Sequence, residues 1–219
     1  MGVVLLVAPG IMRTLRFILI WCGWASVTAA DPVVTEHRGQ AIYRDNCMEC
    51  HLESGKGIVG LGVPSIAGLP RWYVTDQLRE FRREVRGSHD EDQAGGLMQM
   101  KAKSLGDREL AFVGRYIESL PPSSERATLD LPVAAEGHAR YLADCASCHG
   151  ANGEGDRSRR APPLTRQPDW YLLKQLENFR EGKRQHHKKS DEVEPAPAAA
   201  AAAALVAWLA ALPAAEPDQ

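Results

Sequence analysis

Four cysteines and two histidines carry the plainest chemistry in this sequence. Cys47-Met48-Glu49-Cys50-His51 and Cys145-Ala146-Ser147-Cys148-His149 are both C-x-x-C-H. Two thiols three residues apart can add to the two vinyl groups of one porphyrin. The histidine that follows then reaches the iron from the proximal side. The spacing therefore predicts covalent haem attachment, twice. Zinc ribbons place their two C-x-x-C pairs about 15–20 residues apart, whereas 94 residues separate Cys50 from Cys145 here. A redox dithiol needs neither a second copy nor a histidine directly after it. The fifth cysteine, Cys22, stands apart from both motifs.

The elements around the motifs repeat. A shift of 98 residues superposes the two C-x-x-C-H motifs and carries Gly39 and Tyr43 onto Gly137 and Tyr141. It also carries Gly55 and Gly57 onto Gly153 and Gly155, and Pro64 onto Pro162. Trp72-Tyr73 falls on Trp170-Tyr171, Gln77-Leu78 on Gln175-Leu176, and Phe81-Arg82 on Phe179-Arg180. About a third of the positions from 39 to 89 are identical to their partners. The chain thus reads as two copies of one domain: residues 31–121, a Pro- and Ser-containing linker at 122–132, residues 133–213, and a tail at 214–219. Each copy reads as helix, with no alternating strand pattern. In the first copy helices are expected at about 36–46, at about Arg71 to Arg86 with an inner face that includes Val85, and from an N-cap at Gly106. Leu110, Val113, Ile117 and Leu120 would form the inner face of that last helix. In the second copy Leu205, Trp208, Leu209 and Leu212 would play the same part within an alanine tract, alanine being the best helix former.

Residues 1–30 read as an export signal peptide. Arg13 and Arg16 precede an apolar run from Phe17 to Ala25, too short to span a bilayer, and Val27-Thr28-Ala29-Ala30 offers small residues for cleavage. A retained membrane anchor is the alternative, and Met12 is a more ordinary start than Met1. Removal of this segment leaves 24 basic and 28 acidic residues. The whole chain has 219 residues, 25% charged and 44% apolar, and a formal charge of −2. That composition excludes a disordered chain and a multi-span membrane protein, and gives no support for a nucleic-acid partner. Export would place the protein in the periplasm, with membrane contact only through partners.

With its C-x-x-C-H motifs, Pro64-Ser65-Ile66-Ala67-Gly68, Trp-Tyr-x-x-x-Gln-Leu and Phe-Arg-Glu-Gly-Lys-Arg at 179–184, the sequence resembles the class I cytochromes c. It is most similar to their two-domain periplasmic diheme members, subclass four. The resemblance implies an all-α fold of two tandem cytochrome c domains, each with one covalent haem c. It implies that Gly39 and Gly137 let the last helix of each domain cross the first closely, near Tyr116 and Trp208. It also implies that the carbonyls of Pro64 and Pro162 accept a hydrogen bond from the proximal histidines, His51 and His149. In the family a distal methionine lies ahead of the last helix, in a pattern like Met-x-x-x-Ala-x-x-Leu. Met98 is in that register and Met100 is the second choice. No methionine follows Met100, so the second iron is left to His186 or His187, to water or an open position, or to another side chain such as a lysine.

Two functions follow. A haem held by His and Met on both axial faces has no position for substrate, which predicts an electron carrier of a respiratory chain. Its donor would be a quinol-oxidising complex or a periplasmic dehydrogenase, and its acceptor a terminal oxidase or reductase. The alternative is a haem enzyme or small-ligand sensor that uses an open second iron.

Overall fold

The computed structural model describes residues 32–132, 135–185 and 197–215. The expected signal peptide at 1–30 lies outside the described residues, as do His186 and His187. Among the described residues the fold is helical, and its only β pairing is two isolated bridges, Ile58 with Val63 and Asp156 with Ala161. The bridges occupy equivalent positions of the repeat.

The first half contains α1 (Pro32–Asn46), α2 (Met48–His51), α3 (Arg71–Arg82), α4 (Gln93–Lys103) and α5 (Asp107–Ser119). The second contains α6 (Ala135–Asp144), α7 (Ala146–His149), α8 (Asp169–Arg180) and α9 (Ala199–Ala211). In each half the first long helix packs against the last, α1 on α5 and α6 on α9. Glycine permits that contact. A Cβ on Gly39 would lie 2.4 Å from the Phe112 carbonyl oxygen and 2.8 Å from Tyr116 Cβ. A Cβ on Gly137 would lie 2.1 Å from the Ala204 oxygen, one turn before Trp208. The aromatic partners also match, with Tyr43 and Tyr116 at 5.2 Å between ring centres and Tyr141 and Trp208 at 4.8 Å.

The first core gathers Tyr43, Leu78, Phe81, Leu110, Val113 and Ile117; the second gathers Tyr141, Leu172, Leu205, Val206 and Leu209. The inner face expected for α5 is buried apart from Leu120, which is only partly so. Gly106 caps α5, and its N–H donates to the Glu109 carboxylate at 2.7 Å.

Two expectations for the helices need correction. The α3 helix stops at Arg82, because Glu84 turns into the left-handed region at φ 60° and the N–H groups of Val85 and Arg86 fold back onto the Glu80 carbonyl. Val85 is therefore 54% exposed and off the inner face. The α4 helix was not expected at all. It carries Gly95-Gly96, which lower helix propensity. It starts from Asp92, whose carboxylate accepts from the Gly95 N–H at 3.0 Å.

The segment between the halves is strapped to the second one. The Asp169 carboxylate, 2% exposed, accepts from the Thr128 and Leu129 N–H groups and the Thr128 hydroxyl. Arg126 donates to the Leu209 and Leu212 carbonyls at the end of α9. The Ala215 N–H donates to Thr165 Oγ1 at 3.1 Å, so the expected tail begins packed.

Candidate functional site

Each C-x-x-C-H motif sits on a sharp helical corner. The long helix ends, its chain turns at Cys47 or Cys145, and one short turn carries the rest of the motif. The His51 and His149 N–H groups close these turns onto the Cys47 and Cys145 carbonyls, both at 2.9 Å. The Tyr43 hydroxyl donates to the Leu52 carbonyl at 2.6 Å and the Tyr141 hydroxyl to the Gly150 carbonyl at 2.7 Å, pinning each long helix to the exit of its motif.

The proximal histidines have matching partners. His51 Nδ1 lies 3.0 Å from the Pro64 carbonyl oxygen, and His149 Nδ1 lies 2.9 Å from that of Pro162. A carbonyl can only accept, so Nδ1 carries the proton and the Nε2 lone pair remains for a metal. Glycine brings the carbonyls close. Gly57 and Gly155 have φ of 76° and 87°. A Cβ on Gly57 would meet the Val63 and Pro64 oxygens at 2.3 and 2.4 Å, and one on Gly155 would meet Pro163 N at 2.6 Å. Burial pushes both imidazoles below their usual pKa, with the proline carbonyl acting in the opposite sense, so both rings are neutral near pH 7. Burial also pushes the Cys47 and Cys145 thiols up to about 11.

All four motif cysteines are unpaired thiols. Among the described residues no three His, Cys, Asp or Glu side chains converge as a metal cage. Paired thiols beside a histidine whose Nδ1 is held and whose Nε2 is free fit a haem c in each half.

Met98 and Met100 separate on α4. Met98 is partly buried and packs against the first core, whereas Met100 is 63% exposed. Successive helical residues differ by about 100°, so positions two apart face nearly opposite ways.

One set of residues went unrecognised in the sequence. Arg86 donates to Gln77 in its own half, and across the halves to the Tyr171 hydroxyl at 2.6 Å and Gln175 Oε1 at 3.0 Å. Arg184 donates to Gln175 in its own half at 2.6 Å, and across to the Tyr73 hydroxyl at 3.3 Å and Gln77 Oε1 at 2.9 Å. Tyr73, Gln77 and Arg86 are the repeat equivalents of Tyr171, Gln175 and Arg184, so the network is reciprocal. The signal was present: a tyrosine, a glutamine and an arginine recur at the same positions of both copies.

The comparisons with known proteins agree with this geometry. Residues 36–121 and 134–213 both match the cytochrome c family. The chain is 31% identical to the thiosulfate dehydrogenase electron acceptor of Stutzerimonas stutzeri over 166 residues, 68% of this chain and 73% of that one. It is 30% identical to cytochrome c4 of Azotobacter vinelandii over 146 residues, 63% of this chain and 69% of that one. Among solved structures, thiosulfate dehydrogenase from Marichromatium purpuratum superposes with a TM-score of 0.66 at 30% identity, over 81% of this chain and only 40% of that longer one. Cytochrome c4 from Acidithiobacillus ferrooxidans superposes with a TM-score of 0.64 at 25% identity, over 77% of this chain and 99% of that one. The chain belongs to the cytochrome c family, as a diheme protein of the c4 type with two covalently bound haem c groups. Electron transfer between redox partners is the function this defines.

Proposed function

We propose that the chain is a periplasmic two-site electron relay whose halves are set at different potentials by their distal ligands. Cys47 and Cys50 hold the first haem and Cys145 and Cys148 the second, with His51 and His149 as proximal ligands and Pro64 and Pro162 fixing their orientation. Met98 supplies the sixth ligand of the first iron. The haem groups supply the reversible one-electron couple, and the polypeptide sets where that couple lies. A thioether favours ferrous iron relative to imidazole or water. The observation that carries the reading is the asymmetry in methionine: Met98 packs inward in the first half, and no methionine follows Met100.

The relatives suggest the partner class. Two are described as electron acceptors of thiosulfate dehydrogenase and others as the FixP subunit of a cbb3-type cytochrome c oxidase. A periplasmic dehydrogenase as donor and a terminal oxidase as acceptor fit this chain, as does a quinol-oxidising complex as donor. Among the described residues no helix is long and apolar enough to cross a membrane.

The methionine-free second half also supports a second reading, a haem that binds small ligands at an open position. Potentiometric titration, followed by carbon monoxide addition to the reduced protein, tests both. Two separate midpoints with no carbon monoxide binding support the relay with a capped second iron. Two midpoints with one carbon monoxide per chain support the ligand-binding reading. A single high midpoint for both haems contradicts the proposal, because it requires a thioether on the second iron.

A further inference from the structure

A cleft of about 450 Å³ lies away from the C-x-x-C-H motifs, between α3 and α5 of the first half and the Arg157–Arg160 loop of the second. Five arginines line it, Arg71, Arg79, Arg115, Arg157 and Arg160, against a single acidic residue, Asp76. Asp76 bridges Arg160 at 2.8 Å and Arg79 at 3.6 Å, which fastens the loop of the second half to α3 of the first. Arg79 also reaches Asp107 at 3.7 Å. The guanidinium groups of Arg71, Arg115 and Arg157 make no ion pair among the described residues. These three residues come from three different elements and line one concavity. Trp72 and Phe112 also line the cleft, and the Trp72 indole N–H is buried without a partner.

The repeat provides an internal control. At the 98-residue shift Arg71 and Arg79 fall on Asp169 and Glu177, and the Arg157–Arg160 loop falls on Val59-Gly60-Leu61-Gly62. Arg115 stands three residues after Phe112, where Gly39 packs, and the residue three after Ala204, where Gly137 packs, is Ala207. Trp72 keeps its counterpart, Trp170, whose indole N–H is likewise unpaired. The fold therefore needs the tryptophan but not the arginines. A cluster of like charges on a chain of net charge −2 costs self-repulsion, and an anion relieves it.

We infer that this cleft binds a small oxyanion bearing at least two negative groups, one held by Arg71 and Arg115 on the first half and one by Arg157 on the second. The volume falls in the range of small-ligand sites, about 300–1,000 Å³, and arginine's planar donor fork matches oxyanion geometry. Because its walls belong to both halves, the bound anion would also brace them together.

Titration calorimetry of the diheme protein with inorganic pyrophosphate, at ionic strength matched with sodium chloride, tests the site. The expected result is one saturable site per chain, weakened about tenfold by Arg115→Gln and by Arg157→Gln, the scale of one charged hydrogen bond lost. Arg108→Gln, an exposed change on α5 outside the cleft, should leave the affinity as it was. Unchanged visible spectra would show that the variants are folded. No saturable binding, or equal binding by all three variants, overturns the inference. So does binding of an acidic peptide such as polyglutamate with none of pyrophosphate, which would make the cleft a protein-docking surface instead.

Discussion

A histidine offers a metal one ring nitrogen, and whatever holds the other nitrogen decides which. In both halves a proline carbonyl holds Nδ1, at 3.0 and 2.9 Å, so tautomer and ring orientation are set before iron is considered. The cysteines and histidines were legible in the sequence because the chemistry of attachment fixes their spacing. In the sequence, the preference for Met98 over Met100 rests on a resemblance alone, and α4 adds only which way each residue faces. Gly95, Met98 and Ala102 then lie at i, i+3 and i+7 on the inner side, while Leu97 and Met100 are exposed at 60% and 63%. Replacing Met98 by Ala should abolish the methionine-to-iron charge-transfer absorption and lower one of the two midpoints. Met100→Ala should leave the spectrum and both midpoints as they are. The reverse pattern would assign ligation to Met100.

At the scale of elements, the closest contacts are those of the first and last helices of each half. Gly39 and Gly137 face backbone atoms there, and backbone cannot swing aside as a side chain does. Gly39→Ala and Gly137→Ala should each destabilise the protein by about 1–3 kcal/mol, the usual range for overpacking. Denaturant unfolding checks this: the midpoint should fall with little change in slope. A midpoint at the wild-type value would mean that the helices can separate without cost. The repeat marks these glycines twice, and the family resemblance supplied their role. The exposed end expected for α3 and the missing α4 show where periodicity misleads. Val85 fits the apolar period but follows a left-handed turn at Glu84, which no apolar pattern announces. The glycine pair in α4 hides a helix that Asp92 starts with its own carboxylate.

At the scale of the whole molecule, a repeat becomes one protein through the residues that are identical in both copies yet polar. Arg86 is 7% exposed and each of its bonds has a counterpart at Arg184. Glu80, whose carboxylate accepts from Gln77 Nε2 at 2.8 Å, adds negative charge that favours the Arg86 guanidinium. Hydrogen bonds to charged groups contribute about 1.5–3 kcal/mol each. Removing one partner also leaves a partly buried tyrosine hydroxyl or a glutamine oxygen poorer in donors. Because both arginines donate to the same two glutamine oxygens, their contributions cannot be independent. Arg86→Leu and Arg184→Leu should each lower stability by about 2 kcal/mol, and the double variant should fall short of the sum by about 1 kcal/mol. Calorimetry should also change in form, from one cooperative transition in the wild-type protein to two in the double variant, as each half comes to unfold on its own contacts. Additive losses within a single transition would show that the halves are held together elsewhere, for example by Asp76–Arg160, Glu91–Lys183 and the Arg166 bond to the Gly68 carbonyl.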